Sequence, residues 1–187
     1  MENVQKQLTY LILLGACALQ GSVAQTNDSQ KRAQAAEPGK YYAQRQEYAK
    51  SAASAYSDEQ ARAQEESCPD AKSTYDINQC LERETAKTMA NYKAYMSGLR
   101  SEEGLQIPGE SSLLGPTGQK LTAADRLREL DETEVAWQKY YEAQCAAAYD
   151  HNKPGTIAPS MEFTCRIRLM RDRMEELESI YEITGSH

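Results

Sequence analysis

The sequence predicts an all-α protein: a three-helix up-down-up bundle stapled by two disulfides and preceded by a polar, partly helical linker. Three observations lead there. Apolar residues recur at spacings of three and four along three separate stretches. Four cysteines follow an N-terminal export segment, and an even number in an exported domain reads as two disulfides. The interior is thin, because Phe and Trp occur once each while Tyr occurs 12 times and apolar residues make up 40%. A core built on Leu, Met, Ala and tyrosine rings gains from covalent support.

Residues 1–24 have the layout of a secretory signal. Lys6 and the free amine supply the positive end, Leu8 to Leu19 is apolar, and Ser22-Val23-Ala24 offers small residues for cleavage. The run is too short to cross a bilayer, which needs about 20 apolar residues. Leu13-Leu14-Gly15-Ala16-Cys17 is a rival processing site, a lipobox in which Cys17 would carry a lipid anchor. The expectation is export to the periplasm or beyond, with a membrane-anchored lipoprotein through Cys17 as the alternative. Residues 25–67 are rich in Gln, Ala, Ser, Glu and Lys, with Pro38-Gly39 interrupting, and read as a polar linker or weak surface helix.

The stapled domain, residues 68–183, opens at Cys68-Pro69. Ser73 with Asp76 resembles a capping box, and Ile77, Leu81, Thr85, Thr88 or Met89, Tyr92, Tyr95 or Met96, and Leu99 mark one helix over about 74–100, ended by Gly98 and Gly104. Residues 101–121, broken by Gly104, Pro108, Gly109, Gly115, Pro116 and Gly118, form a long loop that holds Leu113 and Leu114. Thr122 with Asp125 caps a second helix whose inward residues are Leu127, Leu130, Trp137, Tyr141, Cys145 and Ala148, with Trp137 at the centre of the core. A turn through Asp150-His151-Asn152-Lys153-Pro154-Gly155 leads to a third helix capped by Ser160. Its inward positions are Phe163, Ile167, Met170, Met174, Leu177 and Tyr181, and its outward face carries Arg166, Arg168, Arg171 and Arg173 among acids.

Sequence alone allows three cysteine pairings. Up-down-up packing then puts Cys80, Cys145 and Cys165 at one end of the bundle, which makes Cys145 and Cys165 natural partners across their turn and leaves Cys68 for Cys80. That preorganised end is the expected binding surface. The cysteine spacings lack a C-x-x-C, so no metal is expected, and no cofactor motif is present. The net charge of -7 argues against nucleic acid and favours a cationic partner. His151 and the terminal His187 are the only imidazoles, and no nucleophile-and-base set is legible, so the chain is not expected to be an enzyme.

Trp137-x-x-Tyr140-x-x-x-x-Cys145, then Gly155-Thr156-x-Ala158-Pro159-x-Met161, then Cys165-x-x-x-Leu169 with Arg173 and Leu177, resembles the bacterial LprI-type lysozyme inhibitor family. Cys68 and Cys80 match the first two cysteines of that family, and the resemblance covers about residues 68–181. Met170 stands where a threonine is expected, Pro154 where a second glycine is usual, and the 101–121 loop is enlarged. The resemblance implies an exported protein that binds a protein partner, a cationic lysozyme, rather than catalysing a reaction. An envelope or periplasmic interaction module with a different protein partner is the alternative. For partner contact the sequence nominates His151, Asn152 and Lys153 in the stapled turn, with Leu113 and Leu114 in the loop as second choice.

Overall fold

A computed structural model describes residues 23–110, 118 and 122–183, with side chains from residue 38 onward. Residues 1–22 of the expected export segment 1–24, with Cys17, and the loop leucines Leu113 and Leu114 lie outside the described residues. The chain divides into two units, residues 1–40 and 41–187. The described part of the first, residues 23–40, is helical. The second unit is the bundle.

Four helices follow in order: α1 (Val23–Ala63), α2 (Thr74–Glu103), α3 (Ala123–Asn152) and α4 (Ala158–Tyr181). Successive helices of the bundle run in opposite directions, so α2 and α4 run parallel. They touch at one end through Asn78, whose amide donates to the Thr156 carbonyl at 3.2 Å, and at the other through Tyr95, whose hydroxyl donates to Glu178 at 3.2 Å. α3 lies antiparallel against α4 and touches α2 far less. The described residues contain no strand and no helix long and apolar enough to cross a membrane.

Periodicity correctly located three of these helices. Leu81, Thr88, Tyr92, Met96 and Leu99 on α2 are buried, as are Leu130, Tyr141 and Cys145 on α3 and Ile167, Met170, Met174 and Leu177 on α4. Thr122 forms a full capping box with Asp125, and the Ser73 hydroxyl accepts from the Asp76 amide. Ile77, expected inside, is instead exposed. α2 also runs three residues further, to Glu103, with Gly104 as its C-cap.

The bundle has four helices where three were expected. The additional one is α1, from the stretch read as a polar linker or weak surface helix. From Tyr41 onward it lies antiparallel to α2, with Arg45 paired to Glu102 near one end and Arg62 to Glu84 near the other. Its buried residues are Ala52, Ala55 and Glu59, which carry no aliphatic stripe for a hydrophobic period to detect. Docking depends instead on close approach. Gly98 sits inside α2, and a Cβ there would stand 2.9 Å from the Ala52 Cβ and 2.9 Å from the Tyr48 carbonyl. The glycine expected to end a helix therefore lets two helices cross, because its missing side chain makes room for the neighbouring backbone.

α4 begins earlier than expected. Ile157 is its N-cap without a side-chain bond, and Pro159 occupies the first turn, where its missing N–H costs nothing. Ser160 is freed from capping and donates across the interface to the Asn78 side chain. Arg173, expected on the outward face, is buried: its exposure is 6%. Carboxylates on α3 and α4 receive it, as its guanidinium lies 3.8 Å from Glu134 and 2.7 Å from Glu176.

Candidate functional site

Two regions have the form of a binding site. The first is the end of the bundle where the C-termini of α1 and α3 meet the N-termini of α2 and α4. Cys68 is bonded to Cys80 and Cys145 to Cys165. The second pair is nearly sealed, at 0% and 8% exposure, whereas Cys68 and Cys80 are half-buried. Between the disulfides, Asn78 fastens α2 to the α3–α4 turn through Thr156 and to the first turn of α4 through Ser160. Each loop closure restricts the unfolded chain and contributes about 3 kcal/mol, a large share for a core of this size.

His151, Asn152 and Lys153 fall together in this end. His151 is exposed in the last turn of α3. Asn152 is half-buried, and its amide donates to the Ala148 carbonyl at 2.8 Å. Lys153 is the exposed C-cap, with its ammonium 3.6 Å from Asp150. The backbone of this turn is thus anchored while two of its three side chains reach solvent.

The second region is a groove of about 840 Å³ between α2 and α3. It exists because those helices pack on α4 more than on each other. Trp137 lies on its wall and is only half-buried, not at the centre of the core as expected. The indole packs against Tyr92 and Tyr141, with ring centroids 5.1 Å and 5.0 Å away, and the Arg166 guanidinium lies over the Tyr141 ring at 5.2 Å. The Arg173 guanidinium also lies over the indole, 6.0 Å from its centroid. At the floor the Tyr92 hydroxyl donates to Glu134 at 2.6 Å. Burial first, then that bond, push the Tyr92 phenol well above its ordinary pKa. Nothing in the sequence pattern marked Glu134, because an acid inside an apolar stripe reads as an interruption.

Among the described residues no group of three or more His, Cys, Asp or Glu side chains is placed to hold a metal. Both regions offer shape and charge for binding. A family model described as the lysozyme inhibitor LprI matches residues 65–177, more than half of the chain. This chain belongs to the LprI family. The matched stretch of the LprI chain begins just after α1, so it takes in both disulfides, the stapled turn and the aromatic groove, but not Ala52, Ala55 or Glu59. Comparisons of this LprI-family chain with curated proteins and with solved structures give no match.

Proposed function

We propose that this LprI-family protein is exported and inhibits a cationic lysozyme by binding it, with no chemistry of its own. The observation that carries this reading is the family match over residues 65–177. The net charge of -7 supports it, since an acidic protein is steered toward a cationic one, faster at low salt than at high. In this reading the turn His151-Asn152-Lys153 enters the cleft. A lysozyme cleft holds two catalytic carboxylates that need open space around the glycosidic bond, and a lysine-tipped turn on an anchored backbone suits that acidic target. Leu113 and Leu114 remain the second contact proposal. Export would use residues 1–24, with lipidation at Cys17 as the other route.

The test is clearing of a bacterial cell-wall suspension by lysozyme, with and without the purified mature protein. Slowed clearing that recovers as salt is raised is the expected result. Undiminished clearing at molar excess would remove the reading and favour an envelope module with another protein partner.

A further inference from the structure

We propose that Cys68–Cys80 is a redox-sensitive catch: a dithiol opens it in the folded protein and frees the connection between α1 and α2, while Cys145–Cys165 stays closed. The two disulfides differ in access. Cys145 and Cys165 are 0% and 8% exposed and belong to the apolar core, so an attacking thiolate reaches them only when the bundle opens. Cys68 and Cys80 are half-buried, and both line a recess of about 660 Å³ beside the start of α2. Exposed or strained disulfides are the ones that a reductant opens first. Backbone strain is present too. Cys68 has φ 63°, in the left-handed region that a Cβ opposes, and Pro69 directly after it restricts that residue further.

The connection, residues 64–73, is fastened mainly by this bond. Apart from Cys68 and Ala71 its residues are exposed. Its hydrogen bonds among the described residues are local: the Gln64 and Glu65 amides donate back to Ala61 and Arg62, the Ala71 amide donates to the Cys68 carbonyl, and Lys72 and Ser73 donate to Asp76. α1 has a separate hold, from Glu59 to Thr88, Asn91 and Arg171 and from Arg62 to Glu84. Opening the catch therefore loosens the connection without undocking α1. Glu65, Glu66 and Asp70 of the connection share the recess with Asp76, and their mutual repulsion favours release. Arg83, one turn beyond Cys80, lines the same recess and has no acid partner among the described residues, so it favours a departing thiolate. In the exchange a thiolate of the dithiol attacks one sulfur, the Cys68–Cys80 bond breaks, and the other sulfur leaves as a thiolate that takes up a proton. The second thiol of the reagent then closes a disulfide with the first and releases the remaining cysteine, so two electrons and two protons pass to the protein.

The experiment uses the mature chain with both disulfides formed and dithiothreitol as the dithiol, followed by alkylation and peptide mass mapping. Cys68 and Cys80 are expected to be reduced at a reagent concentration about tenfold below that for Cys145 and Cys165, and in urea the gap should close. A glutamate-specific protease should cut after Glu65 or Glu66 severalfold faster once Cys68–Cys80 is reduced. Cys68→Ser combined with Cys80→Ser should reproduce that rate without reductant. Both forms should keep the helical circular dichroism and a single melting transition at a lower temperature. Reduction of the two disulfides together, or of Cys145–Cys165 first, overturns the catch. Unchanged cleavage after reduction of Cys68–Cys80 overturns it as well, because other contacts would then fasten the connection. Loss of the helical signal on that reduction would make the bond a requirement of the fold and overturn it too.

Discussion

Glu59 on α1 and Glu134 on α3 are both buried carboxylates that reach across to α2 and α4, yet their surroundings differ. Glu59 is 1% exposed and accepts four hydrogen bonds: from Thr88 at 2.9 Å, Asn91 at 2.9 Å, Arg171 at 2.7 Å and Arg62 at 2.6 Å. Glu134 accepts one, from Tyr92, while its second oxygen and the Arg173 Nε are buried without a hydrogen bond and stand 3.8 Å apart. The difference follows from what each helix brings. α1 offers alanines to the core and needs a polar clamp to dock, so its acid is surrounded by donors from three helices. α3 already brings Leu130, Tyr141 and a disulfide, so its acid is left at the floor of a groove with capacity to accept. A buried charge is stabilising only when its partners are complete.

Replacing these acids separates the two cases most sharply. Glu59→Ala strands Arg171 and leaves Thr88 and Asn91 without an acceptor, while Arg62 keeps Glu84, so urea denaturation should show a loss of about 3 kcal/mol. Glu134→Gln keeps an acceptor for Tyr92 and removes only a distant charge pair, and the same measurement should give about 1 kcal/mol. Equal losses at the two positions would break the comparison.

Alkaline titration gives the gentlest test. Burial, followed by nearby carboxylates, raises the phenols of Tyr92 on the α3 side and Tyr95 on the α1 side. The folded chain thus holds these protons more tightly than the unfolded chain, whose tyrosines ionise near pH ~10. Their contribution to stability is complete below that pH and is lost as pH rises further. Ultraviolet titration should show Tyr92 and Tyr95 ionising only as the chain unfolds. Early ionisation of Tyr92 alone would mean that the groove admits water to its floor.

The position of the turn could be read to within a few residues: Asp150 to Gly155 reads as the break in the chain, whereas α3 runs through Asn152 and the connection is 153–157. The Asn78 bridge beside it could not. Ile77 falls in step with Leu81 and reads as core, while Ile157 and Met161 look like any apolar residues near a helix start. Only the tertiary structure brings Asn78 against Thr156 and Ser160 at the start of α4. Arg173 eluded the pattern for the opposite reason, since a charged residue in a charged run gives no sign that two carboxylates await it inside.

By itself the sequence determined an all-helical chain with three strongly periodic helices, two capped starts, and cysteines enough for two disulfides, because each of these depends on residues close in sequence or on repeated apolar spacing. Tertiary structure alone decided that α1 joins the bundle, that Gly98 makes a crossing rather than an end, and that Trp137 walls a groove. Those outcomes depend on close backbone approach and on charge pairs between distant segments, and neither leaves a periodic trace along the chain.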